Sequence, residues 1–483
     1  MPLDLKSIDR QKVGFFRFKR LNGRYLLTND VGDYCFLDSP SFEVFLAGKI
    51  EQTCPDRYSE LQAKGFIRDR LDFDGLARKY ASKNIFLNRG PSLHIIVVTL
   101  RCDHKCIYCH ASAKLLSDRG FDMDIQTAQK VVDMIFESPN DTITIEFQGG
   151  EPLVNFDTVK FIITYAKKRN KVVKKKLLLS LVTNLSLMSQ GHLDFLLKNE
   201  VVLCTSLDGP EALHNKHRVL LRQGDSYKNT ISWIKKIQKQ IKKNGTYGYK
   251  MNALSTITRF SLPYYKQIVD EFVGMGFEGI HLRLVTSFGL HNKIMRKHIW
   301  PSSSDFLDFY KKALEYIINL NLKGINFYER TAKIFLTKIL TDDDPNFLDI
   351  RSPCGAGIGQ LAYNYNGDVY SCDEGRMLAV AGDETFKVGN VNSNSTFELI
   401  NNETVKALCL ASFLDNLPVC TSCVYKPYCG VCPVYNYLIE SNIFSRIPEN
   451  QKCKIHQGVL DHIFIKLKEG KNKEVFLKWL KKT

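Results

Sequence analysis

Cys102-Asp103-His104-Lys105-Cys106-Ile107-Tyr108-Cys109 sets three cysteines within eight residues, spaced C-x3-C-x2-C. The stretch follows an apolar run, Leu93 to Leu100, that reads as a buried strand. Iron–sulfur cubanes usually take four thiolates, one per iron. A loop with three leaves one iron open to a small molecule, which implies chemistry rather than a structural staple. A zinc knuckle is the competing reading: zinc loops space their ligands C-x2–4-C and need a fourth ligand. His104 or His110 would supply it, so zinc stays open on these residues alone.

Outward from the loop, residues 91 to about 300 alternate strand and helix. Strand candidates are His94 to Leu100, Thr142 to Phe147, Leu177 to Thr183, Val201 to Leu207, Lys250 to Ile257 and Gly279 to Val285. Amphipathic helices lie between them, for example Asp124 to Glu137, Asp157 to Lys168 and Leu262 to Met275. Six β-then-α units predict a parallel sheet, because parallel strands need crossover connections. The expected fold class is α/β, an open partial (β/α)6 barrel with its ligands at the C-terminal strand ends. The cysteine loop leaves the first strand at that end.

Residues 1–90 read as a separate small module: strands at Phe15 to Lys19, Tyr25 to Thr28 and Asp33 to Leu37, then helices at Ser39 to Ala47 and Asp56 to Lys64. Three strands followed by helices suggest a winged-helix-like unit, with Cys35 and Cys54 simply buried. Residues 301–350 read as a helical connection and 351–456 as an irregular, cysteine-rich domain. Residues 457–483 close the chain with a lysine-rich helix from Gly458 to Lys482.

The chain has 483 residues, 44% hydrophobic and 24% charged, as expected of a soluble globular protein. No apolar stretch approaches the ~20 residues a membrane helix needs, and the N-terminus lacks a signal pattern, so a cytoplasmic location is expected. Fourteen cysteines in such a compartment point to metal binding rather than disulfides. The net charge of +16 suits an acidic partner, such as a small electron carrier or an acidic peptide. Nucleic acid ranks last, because no RNA-binding signature accompanies the charge.

The cysteine loop, with aromatic Tyr108 before its third cysteine, resembles the cluster-binding motif of the radical S-adenosylmethionine (radical SAM) enzymes. Phe147-Gln148-Gly149-Gly150-Glu151-Pro152 looks like that family's segment for the methionine amino group, which Gly149, Gly150 and Glu151 would bind. Glycines let backbone approach a ligand, and exposed carbonyls with Glu151 would face its cation. Ser206-Leu207-Asp208-Gly209-Pro210, with His214-Asn215-Lys216-His217-Arg218 after it, resembles a stretch of anaerobic sulfatase-maturing enzymes. The resemblance implies cofactor contacts from Ser206 and Arg218. Alone, Asp208-Gly209-Pro210 is a turn, and Arg218 would equally suit the surface.

Near the C-terminus, Cys354, Gly367 and Cys372 read C-x12-G-x4-C. Cys420, Cys423, Cys429 and Cys432 read C-x2-C-x5-C-x2-C, and Cys453 follows. This is similar to the SPASM domain, which carries auxiliary iron–sulfur clusters in peptide-modifying radical SAM enzymes. The resemblance implies one cluster on Cys420, Cys423, Cys429 and Cys453, and another on Cys354, Cys372 and Cys432. Two departures stand out: the last pair is C-x2-C where C-x3-C is common, and Gln360 stands where sulfatase-maturing enzymes have a cysteine. The second cluster then keeps an open iron, takes a non-cysteine ligand or is smaller; Cys409 is a weak substitute. Asp373 matches an aspartate thought to remove a substrate proton, while its structural alternative is a turn cap.

The run Phe15 to Asp69, with Pro91-Ser92-Leu93-His94 and His110-Ala111-Ser112, looks like the His-Xaa-Ser system radical SAM maturases. These are associated with a small partner bearing His-Xaa-Ser repeats, and the N-terminal module would be its recognition element, taking a peptide by strand addition. The resemblance as a whole implies S-adenosylmethionine, a [4Fe-4S] cluster on Cys102, Cys106 and Cys109, and one or two auxiliary clusters. It further implies an acidic low-potential electron donor such as a flavodoxin or ferredoxin, and a peptide side chain oxidised or crosslinked. Two alternatives are a radical SAM enzyme acting on nucleic acid or a small molecule, and a non-catalytic, metal-stabilised binding protein.

Overall fold

The computed structural model of the chain describes residues 8–244, 250–286, 288 and 298–481. An antiparallel sheet of β1 (Arg17–Leu21), β2 (Arg24–Thr28) and β3 (Tyr34–Leu37) opens it. The hairpin turn at Asn22-Gly23 puts both residues at positive φ, where Asn and Gly are least strained. Helices Ser39–Leu46 and Pro55–Ala63 follow. They close a small core in which Leu27, Cys35 and Leu37 meet Phe42, Phe45 and Leu61. Cys54 packs half-buried against it.

The central sheet begins with β4 (Leu93–Thr99), buried along nearly its whole length as a parallel strand covered on both faces must be. After it come the short β5 (His104–Cys106), β6 (Thr142–Gly149), β7 (Lys176–Thr183), β8 (Val201–Ser206), β9 (Arg218–Leu220), β10 (Asn252–Ile257), β11 (Gly279–Ile280) and β12 (Leu282–Leu284). Six of these, β4, β6, β7, β8, β10 and β12, lie side by side in chain order and all parallel. Helices such as Ile125–Phe136, Phe156–Val173 and Tyr265–Gly274 make the crossovers. Asp124 caps the first of them by accepting from Thr127 N.

Alternation along β6 separates two environments. Ile143, Ile145 and Phe147 are fully buried in the main core. Glu146 faces the other way, accepting from Gln148 Nε2 at 2.6 Å and Ser180 Oγ at 2.9 Å. This second face of the sheet is therefore polar.

After β12 the sequence forms helices Ser303–Leu322 and Arg330–Leu340, with β13 (Tyr328–Glu329) pairing with β11. The region from Arg351 is more regular than its sequence suggests. β14 (Gln360–Tyr363) adds to the central sheet parallel to β4, and β15 (Asp368–Tyr370) and β16 (Lys387–Asn390) continue it antiparallel. These strands have three or four residues each, too short for alternation to show. The closing helix is also redrawn: Gln451–Leu467 and Gly470–Leu480 are two helices, and the first begins at an Asn450 cap and carries Cys453. Helices Thr396–Ile400 and Glu403–Ser412 are likewise separated at Asn401-Asn402, where Asn402 caps the second. Among the described residues, no helix is long and apolar enough to cross a membrane.

Candidate active site

The cysteine loop is fixed from both sides. Cys102 N donates to Lys114 O at 3.0 Å, and β5 pairs antiparallel with β9 so that Cys106 stands opposite Arg218. Cys109 N closes a turn onto Cys106 O at 3.2 Å. Burial pushes the Cys106 thiol up to about 12, with the charge of Arg218 opposing and that of Cys109 adding to the rise. Burial, Glu151 and Cys106 together push Cys102 well above the usual thiol range. Cys106 is thus an electrostatic neighbour of Cys109, and Cys102 of Cys106 and Glu151.

Donor atoms of Cys102, Asp103 and His104 lie within 4.8 Å of one another, the arrangement a zinc site would use. Asp103 and His104 are already engaged. Asp103 accepts from Asn184 Nδ2 at 2.9 Å and from Ser186 Oγ, and the His104 ring nitrogens meet Asp103 at 2.9 Å and Ser226 Oγ at 3.0 Å. His110 Nε2 lies 3.3 Å from Thr286 Oγ1, at the end of the sixth strand. These contacts leave the cysteines as the free donors of the loop.

Gly149 and Gly150 lie where the turn after β6 crosses the exit of β4. A Cβ on Gly150 would stand 2.2 Å from Arg101 O, and one on Gly149, whose φ is +126°, 2.4 Å from Thr99 O. Gly150 N donates to Thr99 O at 2.9 Å and Glu151 N to Arg101 O at 2.8 Å. The glycines therefore bring this turn against the cysteine-bearing backbone. Glu151 is 1% exposed and accepts from Thr183 Oγ1 at 2.7 Å, Asn184 N at 2.7 Å and Leu153 N at 3.1 Å. Burial pushes its carboxyl up to about 7 against those three donors. Among the described residues it forms no ion pair.

Arg218 is buried, not on the surface, and its Nη1 donates to Tyr108 Oη at 2.9 Å. Tyr108 Oη in turn donates to Asp208. Asp208 is no mere turn residue: it is fully buried, accepts from Thr256 N at 3.0 Å and lies 3.3 Å from His217 Nδ1. Burial raises its pKa, but the His217 hydrogen bond and the charges of His217 and Arg218 outweigh this and hold it at about 2. Ser206 is half-buried at the C-terminal end of β8, beside this network. Asn184, which touches Asp103 through its side chain and Glu151 through its backbone, is a residue the motifs did not single out, and Asp208 lies within a motif that assigned it no role.

The C-terminal cysteines form two groups. Cys420, Cys423, Cys429 and Cys453 line one cavity, which Cys432 also borders. Cys354 and Cys372 pack with Cys432 in one buried cluster. Cys409 is half-buried on the helix Glu403–Ser412, against the main core. Gln360 is 2% exposed, with its Nε2 buried and unpartnered. Asp373 opens the helix Asp373–Val380 and accepts from the fully buried Arg376 Nε at 2.7 Å. Glu374, its neighbour, approaches Arg283 of β12 at 4.0 Å, joining this region to the sixth strand.

The donor set fits iron–sulfur clusters. All the cysteines are free thiols. Backbone N–H groups of His104, Gly375 and Tyr435 donate to Cys102, Cys372 and Cys432 Sγ, each at 3.4 Å, which favours thiolates.

A parallel six-stranded open barrel with a three-cysteine loop after its first strand defines a radical SAM domain. Residues 96–253 match the model of the Radical SAM superfamily, and residues 354–424 that of the SPASM iron–sulfur cluster-binding domain. The chain is a radical SAM enzyme with an SPASM domain, and its cofactors are S-adenosylmethionine, a [4Fe-4S] cluster and auxiliary iron–sulfur clusters. It is 22% identical over 351 residues to a cysteine-type anaerobic sulfatase-maturating enzyme of Clostridium novyi, covering 71% of this chain and 87% of that one. The solved structure of native anSMEcpe with bound AdoMet matches with a TM-score of 0.67 at 20% identity, over 79% of this chain and all (100%) of that one. Streptococcus suis SuiB bound to precursor peptide SuiA matches with a TM-score of 0.53 at 15% identity, over 90% and 98%.

Proposed function

We propose that the protein is a cytoplasmic peptide maturase that uses S-adenosylmethionine to oxidise or crosslink a side chain of a small partner peptide, probed first with one of His-Xaa-Ser type. One observation carries the reading: the three-cysteine loop, the Gly149-Gly150-Glu151 turn and the Tyr108–Arg218 pair converge at the C-terminal ends of the first, second and fourth strands of the open barrel. When bound, the cluster and S-adenosylmethionine supply a 5′-deoxyadenosyl radical that abstracts hydrogen from an unactivated carbon. The protein's part is to position and to exclude water. Glu151 offers a buried carboxylate to the methionine ammonium, and Arg218 and Ser206 orient the rest of the cofactor. Cys420, Cys423, Cys429 and Cys453 would hold one auxiliary cluster and Cys354, Cys372 and Cys432 the other. Asp373, oriented by Arg376, is the proposed acceptor of the substrate proton.

The N-terminal module would recognise the peptide. It carries an open apolar groove of about 790 Å³, lined by Phe15, Leu71, Phe73 and Tyr80. Phe73 is 71% and Phe15 57% exposed. Relatives support a peptide substrate: anSMEcpe has been solved with a Cp18Cys peptide and SuiB with its precursor peptide. The basic balance of the chain suits an acidic electron donor such as a flavodoxin or ferredoxin.

The test is anaerobic reconstitution, reduction, and incubation with S-adenosylmethionine and a His-Xaa-Ser repeat peptide. Release of 5′-deoxyadenosine with a peptide mass change supports the whole reading. Release with no mass change removes the His-Xaa-Ser assignment, and no release from iron-loaded protein removes the maturase.

A further inference from the structure

Arg17 of the N-terminal sheet lies 404 residues from Thr421 in sequence, yet its Nε donates to Thr421 O at 2.6 Å. Thr421 sits between Cys420 and Cys423. The guanidinium is only 6% exposed, and Nη2 pairs with Asp30 at 2.7 Å. Nη1 is buried with no hydrogen-bond partner among the described residues, and the guanidinium lies over the Phe15 ring, 4.6 Å from its centroid. An unmade hydrogen bond from a buried guanidinium is costly, and charged donors make the strongest ones. It is the kind of donor an anionic group would complete.

The surroundings hold Arg17 in place. Thr28 Oγ1 donates to Val424 O at 2.7 Å, and Tyr428 Oη donates to Gly32 O at 2.9 Å, so the module grips the cysteine loop at three points. Lys19 stands on the same strand face, bonded to Asp461 at 2.6 Å and 5.1 Å from the Tyr425 ring centroid. Tyr425, beneath Lys19, lines the same cavity as Cys420, Cys423, Cys429 and Cys453.

We propose that Arg17 is a positioning residue of the auxiliary centre: anchored to Thr421 O between Cys420 and Cys423, its guanidinium together with Lys19 sets positive charge beside the anionic cluster held by Cys420, Cys423, Cys429 and Cys453 and raises that cluster's reduction potential. The N-terminal module thereby tunes the electron acceptor as well as covering it. Hydrogen bonds and nearby charge are among the levers that set cluster potentials. The proposal rests on the reading that these four cysteines hold an iron–sulfur cluster.

The experiment uses the full chain with Cys102, Cys106 and Cys109 replaced by alanine, reconstituted anaerobically, so that only auxiliary signals remain. The Cys423→Ala variant identifies the signal of this cluster; if it binds as much iron and sulfide as its parent, the cluster reading itself fails. Potentiometric titration followed by electron paramagnetic resonance then compares Arg17→Gln, Arg17→Lys and Lys19→Gln. The expected result is a shift of that signal to more negative potential in Arg17→Gln, largely reversed in Arg17→Lys. Lys19→Gln should shift it less, in the same direction, with the other auxiliary signal unmoved. An unshifted midpoint at full iron content, or an equal shift of both signals, overturns the proposal and leaves Arg17 a clamp. Should Arg17→Gln lose the cluster, Lys19→Gln decides: an unshifted midpoint there overturns the proposal.

Discussion

Arg218 donates from Nη1 to the Tyr108 hydroxyl at 2.9 Å, tying the strand after the fourth barrel unit to the cysteine loop of the first. The pair belongs to a buried network with Asp208 and His217, in which the Arg218 guanidinium and the Asp208 carboxylate both bond the Tyr108 hydroxyl. Removing one member of such a network leaves the other charge uncompensated. Arg218→Gln should therefore lower stability by about 3 kcal/mol, measured by denaturant unfolding of the metal-free protein. It should also weaken S-adenosylmethionine binding in the reconstituted enzyme. A variant as stable as the parent would show that Asp208 is neutralised by His217 alone.

Gly150→Ala tests the crossing of the two strand exits. Its Cβ would meet Arg101 O and Leu100 O at 2.2 and 2.5 Å, both backbone atoms that cannot move aside cheaply. The expected cost is about 1–3 kcal/mol, together with a lower iron content at the three-cysteine site. Unchanged stability and iron loading would mean that the turn relaxes without disturbing Cys102.

Glu151 should leave a signature in the pH dependence of stability. Its folded pKa, raised by burial to about 7, exceeds the ordinary 4.5. The folded state therefore holds a proton that the unfolded chain releases, and this contribution is full below pH 4.5 and is lost as pH rises through 7. Comparing the parent with Glu151→Gln across that window should show the parent losing on the order of 3 kcal/mol relative to the variant. Parallel stability curves would contradict the raised value.

Asp373→Asn separates radical formation from the later proton transfer. Release of 5′-deoxyadenosine should persist, while formation of the modified peptide falls at least about a hundredfold, the usual scale for loss of a general base. Unaltered product formation would move the proton acceptor elsewhere.

Phe73→Ser tests the N-terminal groove. Loss of one large apolar contact should raise the peptide KM by about tenfold, with cofactor cleavage in the absence of peptide unchanged. An unchanged KM would leave capture to the sheet edge.

The first five barrel strands were legible because they are long and their helices amphipathic, so periodicity marks both; the sixth, read as Gly279 to Val285, is two short strands, Gly279–Ile280 and Leu282–Leu284, of which only the second joins the central sheet. Leu93–Thr99 carries the unbroken apolar run Ile95 to Val98, and Thr142–Gly149 alternates with Ile143, Ile145 and Phe147 on the buried face. β14, β15 and β16 were not legible, because three or four residues carry no periodicity and their order in the sheet depends on a distant partner, Leu93 opposite Gln360. Local chemistry also misled in part: Asp208-Gly209-Pro210 reads as a turn, yet Asp208 is a fully buried acceptor.

By itself, the sequence determined which residue types could bind iron and in what order they follow the strands, since ligand spacing and strand succession are properties of neighbours along the chain. Only the tertiary structure decided what surrounds them. It put the Gly149-Gly150 turn against the backbone of Thr99 to Arg101 and brought Arg17 to Thr421. Such contacts join segments far apart in the chain, and no local pattern records them, because they form only when separate elements bury their faces together.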